Sequence, residues 1–583
     1  MAATPVVQAV TAPQTFQPTA APRRQAAMME ESTKPAGTLV VAITSVASPS
    51  GFPTDCLWCA SLTVVSAQES LLQTSRGDDG GITAAPWLAR GWETAPDFSY
   101  TDFNLNEGVQ FHRGWGELTS EDIMWTYHAL MPSFTEEARH DSSAEIDLAI
   151  KEVEPVDPYT ARFHWDAFAG HTLTALFTDA NEGTGMFPKI QTVMENKGFA
   201  TEDEAEEWMR TNITGTGSFQ MDGWVVQNGM FLTAFVDHWD KVPFVEKVRI
   251  LEVPEASTRR AMLESGEAQI AGLALKDWPA LLETGQFLQS PEGSKNIHGF
   301  PFGGNYWEWT HAITGDDLPE TLRDTSLPWV GDPYENSPGV FDENTDSMQR
   351  SLKVRRALSM AIDRDTINEI ILNGLGNRQD LGGQWDTDPV WVENADKWQY
   401  GYDVEQAKML LDEAGYSDGF EVNFWAGLNG EDIEMSEAIA ADWLNNFNIT
   451  AVHDRRTYST IRPSLVTRTF PVLRMHGCCG WPGTWPIEFI WSSYGRGGYN
   501  HGLELPKASE VNGFKQSNTD PDELKAKAVE MRQYLYDWAL LPAIVAAPGR
   551  MIYDSEAVES WQMRPFLQFR HDGIHDLEWV KLR

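Results

Sequence analysis

Four cysteines, twenty-four tryptophans and eighty-five acidic residues are the parts of this 583-residue chain with most capacity for chemistry. Cys56 and Cys59 stand as CxxC in TDCLWCAS, and Cys478 and Cys479 are adjacent in HGCCGW, with His476 close by. Thiolates and an imidazole suit zinc or another soft metal, but a vicinal pair gives poor tetrahedral geometry, and such sites ordinarily use CxxC on both sides. The CxxC also lacks the thioredoxin-like surroundings of a redox enzyme. There is no HExxH, no GxxxxGKS/T and no GxSxG, and the thirteen histidines are scattered. DFNLNEG at Asp102–Gly108 imitates a calcium loop at three alternate positions, but its Gly falls one place late and Arg113 stands where the bidentate Glu belongs. It reads as a false match.

Tryptophan is the stronger signal. Trp307 and Trp309 stand in NYWEWT, Trp481 and Trp485 in GWPGTW, with Trp491 just beyond. An indole offers a broad apolar face and one donor, suited to stacking on sugar rings or on peptide side chains. Trp92 and Trp239 are expected in the core. The charge balance, 44 basic against 85 acidic residues for a net −41, argues against nucleic acid, whose phosphates need clustered Lys and Arg. It fits a solvated acidic surface, with a field attracting cationic solutes as the lesser alternative.

The elements that must position these residues alternate between strand and helix. TLVVAIT at Thr38–Thr44 predicts a strand. Thr119 and Asp122 predict a capped helix with Ile123, Tyr127, Leu130 and Met131 inward. Asp403 caps a helix with Val404, Ala407, Leu411 and Ala414 inward, ending at Gly415 before a strand with Phe420, Val422 and Phe424. Asp520 with Pro521 starts another, lined by Leu524, Ala528, Met531, Leu535 and Trp538. This alternation predicts α/β lobes, at least two for a chain beyond ~250–300 residues. No 20–50-residue repeat is visible. No apolar run reaches the ~18–20 residues that cross a bilayer. Met1–Gly37, rich in Pro, Ala, Thr and Gln, is expected to be a flexible leader or spacer, without the apolar stretch of an intact secretory signal.

Six segments carry a family likeness: LARGWE at Leu88–Glu93, YTDFNLNEGVQFHRGWGELTSEDI at Tyr100–Ile123, GTGSF at Gly215–Phe219, PEASTRRAMLESGEAQIAG at Pro254–Gly272, VRRALSMAIDR at Val354–Arg364 and YDVEQAKMLLDEAGYSDGFEV at Tyr402–Val422. Together they resemble the extracytoplasmic solute-binding proteins of ABC importers, family 5, which bind peptides, nickel or oligosaccharides. Most of these motifs have structural explanations. The Val354, Ala357, Leu358, Ala361 and Ile362 spacing is a buried helix face, with Arg355 and Arg356 expected in solvent. Gly215 and Gly217 are expected to permit a tight turn, without the residues of a phosphate cradle.

The resemblance implies an α/β, two-lobed periplasmic-binding-protein-like fold of the large three-subdomain type (class II), with a hinge and a central cleft. Lobe I would comprise 38–298 plus 540–583, with an inserted subdomain at about 82–212, and lobe II 299–539. The implied role is capture of an oligopeptide-like solute and delivery to the importer's permease subunits, by a monomer without enzymatic activity or cofactor. The implied location is the periplasm or outer membrane face, with a lipid anchor in many relatives. Trp307, Trp309, Trp481 and Trp485 would stack on ligand, Asn305 would hydrogen-bond, and Phe52 and Trp58 would form a wall. For an exported protein disulfides are the default, and Cys56, Cys59, Cys478 and Cys479 are the candidates; bonding within each pair is favoured over a bridge between the pairs, because by family analogy the two segments lie in different lobes. One departure stands out. Peptide binders of this family commonly carry an Asp-Pro stretch whose carboxylate holds the ligand's ammonium, whereas GWPGTWPIEF at Gly480–Phe489 has none; Glu488 is a possible substitute. This raises an oligosaccharide ligand as the alternative. A secreted carbohydrate-active hydrolase, recognisable by glycan turnover, and a nickel or metallophore carrier, recognisable by metal analysis, are the readings from other classes.

Overall fold

The computed structural model describes residues 34–583 except 47–49, 56–64, 77–81, 137, 139–142, 167, 169–171, 179–183, 226, 292–294, 311–315, 384–385, 387–388, 428–429, 457–459, 462–463, 466–467, 480–501, 519 and 563–575. Two sheets organise these residues. The first has the order β12 (Phe287–Gln289), β21 (Ile552–Asp554), β11 (Ile270–Ala271), β1 (Thr38–Ile43), β10 (Lys247–Glu252), β9 (Gly229–Ala234), β8 (Phe219–Val225). The second has the order β15 (Asn377–Arg378), β20 (Ala543–Ala547), β13 (Asn296–Gly299), β18 (Leu473–Cys479), β16 (Glu421–Ala426), β17 (Thr450–Asp454). A four-stranded sheet of β4 (Ala89–Thr94), β5 (Tyr100–Leu105), β7 (Thr160–Trp165) and β6 (Ile150–Asp157) forms a separate layer. Three strand pairs complete the set: β2 (Leu72–Arg76) with β3 (Ile82–Pro86), β14 (Asn305–Tyr306) with β19 (Leu503–Glu504), and β22 (Val558–Ser560) with β23 (Lys581–Leu582).

The predicted strand and capped helices form. β1 is covered on both faces: Leu39, Val41 and Ile43 join one core with Phe219, Met230 and Ile250, while Ala42 joins another with Ala271 and Leu273, as the two-residue period of a strand requires. Thr119 and Asp122 make a reciprocal capping box at the helix Ser120–Leu130. Asp403 Oδ1 accepts from Gln406 N at 2.9 Å, and Gly415 closes that helix at φ +85°. Asp520 Oδ1 accepts from Asp522 N at 2.9 Å, and Leu524, Ala528, Met531 and Leu535 are buried as expected.

Two expectations change. Arg355 is fully buried: its guanidinium donates to the carbonyls of Trp538 (2.9 Å) and Trp329 (2.7 Å), pinning the helix Asp346–Met360 to its neighbours, while Arg356 stays at the surface. Gly215 and Gly217 have no positive φ; they are needed for close packing, since a Cβ would come within 2.4 Å of the Ala67 carbonyl oxygen at Gly215 and 2.2 Å of that of Ser66 at Gly217. Asp102 lies within β5 and forms a two-point ion pair with Arg162, at 2.7 and 2.8 Å, which explains the false calcium-loop match.

The chain passes between the two large sheets twice, from β12 to β13 and from β20 to β21. The first crossing lies between Gln289 and Asn296 and the second between Ala547 and Ile552, and Asn296–Gly299 and Ala543–Ala547 are both strands of the six-stranded sheet.

Candidate functional site

Strand register locates the site. β1, β10 and β11 are parallel, and the end of β11, Ala271, lies opposite Ile552 at the start of β21, which in turn faces Gln289 at the end of β12. In the other sheet β16, β17 and β18 are parallel, and Cys479 at the end of β18 faces Asn296 at the start of β13, which faces Ala547 at the end of β20. The carboxyl ends of all six parallel strands therefore turn toward the two crossings. In open α/β sheets that edge is where ligand crevices form. The crossings are tied side by side: Ser290 N donates to Met551 O at 2.8 Å, Met551 N to Ser290 Oγ at 3.0 Å, and Arg550 Nη1 to Gln289 Oε1 at 3.1 Å. These bonds hold the two crossings to each other.

The loops at this edge are held by buried polar side chains. Arg259 donates to the carbonyls of Val253, Pro254 and Gly272, at 2.5–2.8 Å, pinning the exits of β10 and β11. Glu252 Oε2 accepts from Val46 N at 3.0 Å beyond the end of β1. On the opposite sheet His298 Nδ1 lies 2.8 Å from Asp432 Oδ1, both buried. Burial alone would lower the His298 pKa, but the hydrogen bond and charge of Asp432, with Glu431 nearby, outweigh it and raise the imidazole above its ordinary value. Between the sheets, Lys276 Nζ reaches Glu434 Oε1 at 2.8 Å and Leu275 N donates to Glu431 Oε1 at 3.4 Å, joining the loop after β11 to the first turn of the helix Gly430–Phe447. Beside the crossings, Lys295 Nζ meets Asp386 Oδ2 at 3.0 Å.

This geometry of two sheets, paired crossings and opposed carboxyl edges can be set beside known proteins. A sequence model of the bacterial extracellular solute-binding proteins, family 5, matches residues 83–500, more than two thirds of the chain. The chain belongs to this family. It is 24% identical over 385 residues to the dipeptide-binding protein of Escherichia coli K12, spanning 62% of either chain, and 24% identical over 385 residues to heme-binding protein A of Haemophilus influenzae, spanning 62% of this chain and 60% of that one. These matches thus cover less than two thirds of the curated relatives' length. Among solved structures, the dipeptide-binding protein of Pseudoalteromonas sp. SM9913 in complex with Met-Leu superposes with a TM-score of 0.72 at 18% identity, over 94% of this chain and 100% of that one. The fold is thus the two-lobed periplasmic-binding-protein type with a hinge between lobes. Family 5 proteins are extracellular solute-binding proteins rather than enzymes, and among the described residues no helix is long and apolar enough to cross a membrane. None of these relatives is named for an oligosaccharide, and that alternative gains no support from them.

The family 5 fold sorts the residues singled out from sequence. Asn305 and Trp307 lie beyond the start of β18, at the end away from the crossings, because Phe302 bridges Leu473. Both are fully buried. Trp307 Nε1 donates to Gly331 O at 3.0 Å and its ring meets that of Trp538; Asn305 donates to the carbonyls of Phe302 and Trp329 and accepts from Gly331 N. Trp309 is half-buried against Tyr334, ring centroids 4.8 Å apart. Phe52 follows β1 but is buried among Ile190, Val193, Ala205 and Met209, under the Arg210 guanidinium. Cys478 and Cys479 are the last residues of β18, opposite Ile297 and Asn296. Trp58, Trp481, Trp485, Cys56, Cys59 and Glu488 lie outside the described residues. The residues found at the strand-end edge that sequence reading missed are Arg259, Lys276, Lys295, His298, Asp386 and Asp432. None belongs to a spaced motif; only strand register gathers them.

Proposed function

We propose that this protein is the extracytoplasmic binding component of an ABC importer, which captures an oligopeptide-like solute between its lobes and delivers it to the permease subunits as a monomer. We assign one lobe to the seven-stranded sheet with the inserted layer of β4–β7, and the other to the six-stranded sheet between the crossings. The observation that carries this reading is the opposition of two sets of strand carboxyl ends around a doubly tied hinge. A solute lying there touches both lobes only when they approach, so it favours the closed arrangement by its differential affinity. The closed, loaded form would then dock on the permease.

The test is a thermal-shift screen of the protein, stripped of carried-over ligand, against di- to hexapeptides and cello-, xylo- and manno-oligosaccharides. A solute at 100 times its Kd adds ~2.7 kcal/mol, which raises the Tm of a chain this size by roughly 2 °C. Peptides are expected to give that shift. A response to sugars alone would overturn the reading.

A further inference from the structure

Resting on the reading of two lobes that close on a solute, we infer that a third joint holds the lobes besides the two crossings. Leu275, in the loop after β11, is seated in the second lobe as a fixed pivot, and it governs solute affinity as a positioning residue. Both of its backbone groups are taken by side chains of that lobe. The Leu275 N–H donates to Glu431 Oε1 at 3.4 Å, and its carbonyl accepts from Asn373 Nδ2 at 3.4 Å. Asn373 caps the helix Arg364–Leu372 at φ +52°, a left-handed conformation in which asparagine commonly ends a helix. Glu431 stands in the first turn of the helix Gly430–Phe447. Around these bonds one apolar core is continuous between the lobes. It holds Leu273, Leu275 and Trp278 from the first and Ile371, Leu372 and Met435 from the second, each at most 9% exposed.

Each half of the joint is anchored in its own lobe. On the first side Arg260 Nη1 donates to Asp277 Oδ1 at 3.0 Å, and Trp278 Nε1 donates to Leu273 O at 3.2 Å. On the second, Arg364 Nε donates to Ala543 O of β20 at 2.7 Å, and His298 of β13 holds Asp432. A face that parts and meets in every cycle has to tolerate water, and interfaces between moving domains are accordingly polar. Parting this joint would instead expose leucine, isoleucine and tryptophan, at a cost proportional to their area. Its edge is different: Lys276 and Glu434 are 55% and 40% exposed, and separating them costs little. The lobes therefore roll about Leu275 while the rim beside it opens and shuts. The tied crossings and Leu275 fix the motion at separate points of the chain, which confines it to one axis. A closure so confined loses less conformational freedom when it traps a solute.

The first experiment is hydrogen exchange of the wild type, stripped of ligand, with and without a random tripeptide and pentapeptide library. The three-residue turn Leu275–Asp277 protects its own amides poorly, so slow exchange over 275–282 reports docking on the second lobe. Exchange there is expected to be as slow as in β1 in both samples. Exchange roughly tenfold faster without the library overturns the pivot and makes the contact part of the closing face; fast exchange in both samples overturns the joint altogether. The second experiment titrates Leu275→Asp with the same library, and the expected result is roughly tenfold weaker binding by a folded protein. A folded L275D with unchanged affinity overturns the positioning role. If L275D does not fold, Asn373→Ala, which removes only the bond to the Leu275 carbonyl, replaces it, with an expected loss of about threefold and faster exchange over 275–282; unchanged affinity and exchange count against the pivot. If no peptide shifts the wild-type Tm, the peptide reading falls by itself, and exchange over 275–282 in the ligand-free protein decides the pivot.

Discussion

The two ends of the six-stranded sheet differ in the side chains they hold, packed indoles at one and charged pairs from distant segments at the other. At the end away from the crossings, the indoles of Trp307 and Trp329, the amide of Asn305 and the phenol of Tyr334 all find backbone partners, at 2.8–3.0 Å. These four side chains are spent on packing and on backbone bonds, whereas the hydroxyl of Tyr306 beside them is itself buried without a hydrogen-bond partner. At the crossing end, Lys295 pairs with Asp386 and His298 with Asp432. The difference teaches that in this fold the large indoles serve packing, while polar side chains from distant segments gather at the strand-end edge.

The largest effect that tests this contrast is Trp307→Ala. Trp307 is fully buried in a cluster with Met348, Leu381, Trp398 and Leu540, so its truncation is expected to cost ~3–5 kcal/mol of stability, as for other buried aromatics. Urea unfolding measures that loss, and titration of the fraction that stays folded is expected to give unchanged solute affinity. A tenfold loss of affinity with stability preserved would erase the distinction between the two ends and return Trp307 to the ligand.

The contrast also explains what was legible in the sequence. Caps, strand alternation and apolar helix faces are local, so Thr119, Asp403, Gly415 and Asp520 declare their elements within three or four residues. The family motifs gave the fold because they are packing devices: Val354, Ala357 and Leu358 are core, and Gly217 is a close approach. The exposure expected of Arg355 fails because composition treats arginine as a surface residue, whereas the carbonyls of Trp329 and Trp538 that receive it come from segments 26 and 183 residues away. The site suffers the same limitation. Lys295 and Asp386 are 91 residues apart, His298 and Asp432 134, and Lys276 and Glu434 158. No spacing rule joins them, and tryptophan frequency draws attention instead to Trp307, which with Asn305 is buried at the end of the sheet away from the crossings.

A smaller effect sharpens the comparison through pH. The crossing end holds the buried His298–Asp432 pair, and the folded-state pKa of His298 is raised above the ordinary 6.5. A raised folded value means that the pair's stabilisation is fully present below about 6.5 and is lost as pH rises through the folded value. His238, which follows β9 and is raised by Glu69 against its own burial, carries the same sign, whereas buried His112, lowered to about 4, acts below 6.5 with the opposite sign. The difference between wild type and His298→Gln isolates one pair. Unfolding free energy is expected to fall more steeply between pH 6.5 and 9 in wild type than in H298Q; parallel slopes would show that the pair does not titrate in that range.

The smallest effect concerns the contact that joins the two lobes at the rim. Lys276 and Glu434 are 55% and 40% exposed, and an exposed pair is worth ~0–1 kcal/mol. Because the pair links the loop after β11 with the helix after β16, that energy belongs to the approach of the lobes rather than to either lobe alone. Lys276→Ala is therefore expected to leave each sheet's unfolding unchanged while weakening solute affinity by up to about threefold at low salt, the equivalent of about 0.6 kcal/mol. The difference should vanish at ~1 M salt, where the screening length falls to ~3 Å. A rise in affinity instead would place the contact in the open arrangement, and the crevice edge would then close by a motion that breaks Lys276 away from Glu434.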